Sequence, residues 1–198
     1  MLMGYLNLKT SCFIVFLIPY LTFADTNYKS LQTPKGFSVE LFASNIAAPR
    51  QMAEGNDFIF VGGIKGDIYA IDKNNSENKI VLASNLNNSR GLTLHKGDLY
   101  FAEVSNIWVI EDVERSIQAT SKNKIKKTLF NNDLPSDAWH GGKWIRFGPN
   151  GNLYTNVGAP CNICLDGITK DERYASILML DNDEWKTVAR GVRNSVGF

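Results

Sequence analysis

The sequence predicts an all-β fold built from a repeated unit of short strands, and three observations predict it. The first is a recurring apolar mark. Residues 38–46 (SVELFASNI), 79–86 (KIVLASNL), 127–134 (KTLFNNDL) and 186–192 (KTVARGV) superimpose with Leu41, Leu82, Leu129 and Val188 in register. The second is that two further families of apolar runs fall between these marks. Residues 57–61, 98–102 and 152–156 form one family, and residues 67–71, 106–110 and 176–180 the other. The third is that no stretch reads as a long amphipathic helix.

Each run is short, rich in β-branched and aromatic residues, and bounded by Gly, Asn or Asp, as strands and hairpin turns require. Short strands recurring roughly every 40 to 60 residues indicate a β-propeller, because a single four-stranded unit cannot bury its faces without neighbours. A β-sandwich is the structural alternative, but it gives no reason for the recurrence. Propellers close with about 4 to 8 blades. The chain shows three full repeats, with residues 186–192 read as the opening strand of a fourth. Residues 25–198 are therefore expected to form about three blades, the N-terminal part of a larger propeller.

Residues 1–24 precede the repeats and have a different character. Lys9 is their one charge, an apolar run follows from Cys12 to Ile18, and Thr22-Phe23-Ala24 supplies small residues before polar Asp25. That order is the order of a secretory signal peptide. An uncleaved anchor is the alternative, although the run is short for a bilayer span of about 20 residues. No other stretch is apolar enough to span. The expectation is an exported protein, periplasmic or secreted, with no membrane span after cleavage.

The remaining composition narrows the class. The chain has 198 residues, with 21 Lys+Arg against 20 Asp+Glu and a formal net charge of +1. No basic excess is present to neutralise a run of phosphates, so nucleic acid is not an expected partner. At 44% hydrophobic and 11% aromatic the chain has the composition of an ordered domain. Cleavage would leave Cys161 and Cys164 as the two cysteines. In an exported protein that C-x-x-C pair reads as a local disulfide pinning a loop, with a redox or metal role as the alternative. Zinc would need two more ligands, and His95 and His140 are the only histidines.

The chemistry is expected where segments lead into the innermost strand of each blade, because equivalent positions converge on one pocket there. These segments are polar: Pro49-Arg50-Gln51, Ser89-Arg90-Gly91, Trp139-His140-Gly141-Gly142, and Val192-Arg193-Asn194. Arg50, Arg90 and Arg193 around His140 suit an anionic ligand held beside a proton-accepting group. The plainer reading pairs Arg50 and Arg90 with carboxylates of neighbouring blades and leaves His140 as a satisfied loop residue. His95, before Lys96-Gly97-Asp98, reads as a solvated hairpin residue. Trp139 and Trp144 either wall a pocket or pack blades.

Residues 134–154 (LPSDAWHGGKWIRFGPNGNLY), continuing through Val157-Gly158-Ala159-Pro160-Cys161 to Cys164, and the terminal 189–198 (ARGVRNSVGF) resemble the glucose/sorbosone dehydrogenase family. Residues 36–43 and 50–54 are similar to its sorbosone-dehydrogenase-like branch. The resemblance implies an exported six-bladed propeller that binds pyrroloquinoline quinone (PQQ) and calcium. It would oxidise an aldose or related hydroxyl or aldehyde compound and pass electrons to an acceptor. It implies that His140 takes the proton from the substrate hydroxyl, a role suited to imidazole because its ordinary pKa lies near about 6.5. It further implies that Arg193 acts in catalysis, polarising the quinone with Asn194; Arg90 is a cofactor-binding candidate from its place in the cationic mouth. Ser89-Arg90 stands where the family carries an amide against the cofactor. The family's calcium loop and carboxylate-binding residues fall in later blades, past Phe198, so this fragment alone is expected to be inactive. A non-enzymatic propeller module, binding a ligand or partner at the same mouth, is the competing reading. A calcium-dependent lactonase-type propeller would need carboxylates facing the axis, where Arg, His and Asn stand instead.

Overall fold

The computed structural model of the protein describes residues 30–119, 125–163 and 171–198. The expected signal segment at residues 1–24 lies outside them. The chain divides into two units, Met1–Leu41 and Phe42–Phe198. In the first, the Phe37 amide donates to the Pro34 carbonyl at 3.1 Å, and the Thr33 hydroxyl donates to the Phe37 carbonyl at 2.9 Å. Gly36, at φ +89°, makes that turn, in a region that costs a side-chain-bearing residue more.

The second unit contains three antiparallel four-stranded sheets. The first is β1 (Pro49–Glu54), β2 (Phe58–Gly63), β3 (Ile68–Asp72) and β4 (Lys79–Ala83), in that order across the sheet. The second is β5 (Gly91–His95), β6 (Asp98–Ala102), β7 (Ile107–Ile110) and β8 (Thr128–Asn131). The third is β9 (Ile145–Phe147), β10 (Leu153–Val157), β11 (Ser176–Asp181) and β12 (Glu184–Arg190). This is the β-propeller expected. The two families of runs are the second and third strands of the sheets, and β6 has the bounds read from sequence.

The frame of the repeat differs from the expectation. The marks at Leu82, Leu129 and Val188 lie on the outermost strands β4, β8 and β12. Residues 186–192 therefore close the third sheet rather than open a fourth. The first mark is not a strand at all: residues 38–46 pair with no strand among the described residues, and Val39, Leu41 and Phe42 are exposed. Strand character needs a neighbour to take the backbone N–H and C=O groups, which alternation of side chains does not supply.

The cores lie between sheets. Phe60, Ile68 and Leu82 of the first sheet pack with Leu92, Leu99 and Phe101 of the second. Ala102 and Ile107 of the second pack with Ile145, Leu153 and Leu178 of the third. A fully buried side chain of this size stabilises the fold by roughly 1.5–3 kcal/mol, so neighbouring blades hold one another.

One short helix, α1 (Val113–Ala119), interrupts the connection from β7 to β8. Val113 is buried, and the Glu114 carboxylate accepts the Asp57 amide at 2.9 Å, the Phe58 amide at 3.2 Å and Asn56 Nδ2 at 3.2 Å. The helix thus ties the second blade to the β1–β2 turn of the first. Among the described residues no helix is long and apolar enough to cross a membrane.

Candidate functional site

Antiparallel pairing fixes which loops share an end of the sheets. In the first two blades the turn between the second and third strands lies beside the segment leading into that blade's innermost strand, and in the third it lies beside the segment that follows β12. Backbone bonds join them: Ile64 N to Ala48 O at 3.2 Å, Val104 N to Asn87 O at 3.2 Å, and Ala159 N to Arg193 O at 2.8 Å. The helix and the first–second strand turns occupy the opposite end.

The lead-in segments share a conformation. Each contains a left-handed residue: Ala48 (φ +48°), Asn88 (φ +58°), His140 (φ +49°) and Gly191 (φ +77°). Two residues after each stand Arg50, Arg90, Gly142 and Arg193. Arg50 lies within β1, Arg90 immediately before β5 and Arg193 beyond β12, while Gly142, before β9, leaves a gap with no side chain. Arg90 uses that gap. A Cβ at Gly142 would lie 2.5 Å from Arg90 Cδ and 2.6 Å from its Nε.

Arg90 Nε donates to Asn88 Oδ1 at 2.7 Å, which fixes the guanidinium plane. Burial, and then the neighbouring Arg50 cation, make Arg90 less basic than an ordinary guanidinium. Arg50 is exposed and donates to the Pro49 carbonyl at 2.8 Å. Neither forms an ion pair with a carboxylate among the described residues, so the cross-blade pairing weighed above is not what holds them. Arg193 is exposed and donates to the Asn162 side-chain oxygen. Asn194 is also exposed, and its side chain makes no hydrogen bond among the described residues.

His140 is half-buried and held from several sides. Its Nδ1 lies 2.8 Å from the Ala159 carbonyl. A carbonyl only accepts, so Nδ1 carries a proton, and in the neutral ring Nε2 presents its lone pair. Gly158 is bare because a Cβ there would come within 2.5 Å of His140 Cβ and 2.6 Å of its carbonyl oxygen. The Ala159 amide meanwhile donates to the Arg193 carbonyl, which brings His140 and Arg193 to one short strip of backbone. Trp139, exposed, stands edge-on to the imidazole at 5.6 Å between ring centroids.

Cys161, two residues beyond Ala159, is disulfide-bonded. Its expected partner, Cys164, lies outside the described residues. No group of three or more His, Cys, Asp or Glu side chains that could hold a metal ion is assembled among the described residues.

Two features of the site escaped the sequence reading. Lys143 is 1% exposed, and its Nζ donates to the Gly141 carbonyl at 2.8 Å. Burial pushes its ammonium down to about 8, with the Asp137 carboxylate acting the other way. Asn156, also 1% exposed, accepts the Trp144 amide at 2.6 Å on Oδ1 and donates to the Gly142 carbonyl at 3.3 Å. The available signal for both was position, one beside the Gly-Gly turn and one at the end of a buried strand.

His95 also departs from expectation. It is not a solvated hairpin residue but stacks on Phe147 at 4.0 Å between centroids. Both rings line a groove of about 430 Å³ along the innermost strands, with Met52, Glu54, Thr93 and Arg146. Trp144 borders a smaller cavity of about 130 Å³ closed by Val196 and Phe198.

The fold and the site define a β-propeller with a cationic, histidine-bearing mouth. Comparison with known proteins agrees with the fold. The chain is similar to a solved AA12 carbohydrate-active enzyme of Trichoderma reesei, with a TM-score of 0.57 at 15% identity, over 71% of this chain and 37% of that one. It is also similar to the PQQ domain of a pyranose dehydrogenase from Coprinopsis cinerea, with a TM-score of 0.55 at 14% identity, over 72% and 36%. In sequence it is 32% identical over 206 residues to an uncharacterized protein of Borreliella burgdorferi, covering 98% of this chain and 52% of the relative. The chain thus spans about half the length of that curated relative. No protein-family model matches it.

Proposed function

We propose that this chain forms part of an exported quinone-dependent oxidoreductase that oxidises an aldose or a related hydroxyl compound, with His140 as the general base. The observation that carries the reading is the bond from His140 Nδ1 to the Ala159 carbonyl, which leaves Nε2 as a proton acceptor at a mouth lined by arginines.

Among the described residues Arg50 and Arg90 lack carboxylate partners, and Arg193 is met by a neutral amide oxygen. Such a donor set fits a planar polyanion, and pyrroloquinoline quinone, with carboxylates and quinone oxygens, is one. Arg90, Arg193 and Asn194 are the residues that would hold it. When bound, the quinone supplies the two-electron acceptor for hydride from the substrate carbon. His140 Nε2 would take the substrate hydroxyl proton. Arg193 would offset negative charge on the bound group and Asn194 would supply a neutral donor. Calcium belongs to the family expectation alone, and no step here depends on it. The 1–24 signal segment, the sugar substrate and an external electron acceptor complete the reading.

The activity proposed is that of the whole protein, to which this chain contributes the residues named here. The test is dye reduction by the whole protein with a panel of aldoses, with and without pyrroloquinoline quinone and calcium. Turnover that needs the quinone and is lost in His140→Ala supports the reading. Absence of turnover under every condition overturns it in favour of a binding module.

A further inference from the structure

We infer that Lys143 is the positioning residue for His140: its buried amine clamps the Gly141 carbonyl and thereby holds the left-handed turn that aims the imidazole at Ala159. The inference deepens the reading above, but it concerns geometry that exists with or without turnover.

A lysine is seldom buried without a carboxylate bonded to it, because its ammonium loses hydration. Lys143 is 1% exposed, and among the described residues the one hydrogen bond of its Nζ goes to a carbonyl two residues back. The backbone around it is fixed from both sides. Asn156 bonds the Gly142 carbonyl and the Trp144 amide, and the Lys143–Trp144 peptide lies against Gly91, where no Cβ fits. With residues 142 to 144 immobile, the side chain can act only on what precedes it.

What precedes it is the turn closed by Gly141 N donating to Ala138 O at 3.0 Å, with His140 at φ +49° inside it. A left-handed conformation is disfavoured for a residue with a side chain and persists where the surroundings determine it. Gly141 is buried, so its carbonyl has no water to accept from if the amine is removed. Rotating the 141–142 peptide would relieve that loss and swing His140 away from Ala159.

The groups facing the amine are few. Asp137 acts on it from the same turn, and Tyr174 from the other side of the site donates to Asp137. Arg90 lies against the adjoining Gly142. Burial brings the Lys143 ammonium down to about 8, so it titrates in an accessible range, and the neutral amine remains a donor to Gly141.

The test is nitrogen-detected NMR of the imidazoles, which is direct because the chain has two histidines. In the wild type, His140 is expected as the Nδ1–H tautomer. Lys143→Met, which removes the donor, is expected to lose the single Nδ1–H signature. Lys143→Gln, which keeps a donor without the charge, restores it in part. An unchanged His140 tautomer in a folded Lys143→Met variant overturns the inference. If that variant does not fold, Lys143→Ala takes its place, and an unchanged His140 tautomer in that folded variant overturns the inference instead. A correct tautomer pattern without turnover would refute the quinone reading and leave this one standing.

Discussion

Gln51, on the innermost strand of the first sheet, donates its Nε2 to the carbonyl of Ile145 on the innermost strand of the third, at 3.3 Å across 94 residues of sequence. Its Oε1 accepts the Leu92 amide at 3.1 Å, and its own amide donates to the Arg90 carbonyl at 3.3 Å. One side chain therefore joins the innermost strands of three blades. Leu92 and Ile145 are buried, with no water to replace the lost partner. Gln51→Ala should cost about 2 kcal/mol or more, since an orphaned buried polar group costs about 1–3 kcal/mol. Urea unfolding measures this, and a loss below about 0.5 kcal/mol would show that the strands hold register without it.

Gly158 allows the imidazole to lie where it does. A Cβ at this position would press on both the side chain and the carbonyl of His140. Gly158→Ala is therefore expected to displace His140 while the sheets survive. In the proposed enzyme, turnover should fall by about 10²- to 10⁴-fold, the range associated with a general base, and His140→Ala should fall equally. Circular dichroism that remains native beside lost dye reduction is the expected pair of results.

How much of this was legible from residues alone depends on the length scale of the signal. β6 was readable at residues 98–102 because its alternation is local and both neighbours are close in sequence. Residues 38–46 carry the same alternation, yet form no strand, because pairing is a property of the partner and not of the segment. Helix α1 spans about two turns, too few for apolar periodicity to emerge, although Val113 and Ile117 do fall one turn apart on the core. At the site, His140, Arg90 and Arg193 were visible as unusual residue types at a repeated phase. Lys143 was not, since a lysine is taken as solvated unless something buries it, and here the burying elements are Gly91 and Asn156 from distant parts of the chain.

The gap at Gly142 predicts a separable effect on anion binding. Arg90 lies over the bare glycine with its Nε held by Asn88. Arg90→Met keeps the stem packing and removes the charge, so affinity for pyrroloquinoline quinone should fall about 10- to 100-fold, because a charged hydrogen bond is worth about 1.5–3 kcal/mol. Gly142→Ala, which evicts Arg90, should weaken binding similarly. Fluorescence titration at low and high salt checks both. Wild-type affinity in Arg90→Met would remove Arg90 from the binding set.

Lys143 also predicts a pH dependence of stability whose sign follows from burial. Its ammonium is brought from 10.5 down to about 8 in the folded chain. Between those values the unfolded chain holds a proton that the folded chain has released, so stability rises with pH across that window. Below about 8 both states are protonated, and the fold carries the full cost of a buried charge, on the order of 3 kcal/mol. Lys186 works in the opposite sense: its bond to Asp181 raises its pKa, but it is exposed and its contribution is screened. Urea midpoints should therefore climb from about pH 8 towards about pH 10, and Lys143→Met should be flatter over the same interval. A wild-type midpoint that falls steadily through this window, with the same slope in Lys143→Met, would mean that the amine is better solvated than its burial indicates.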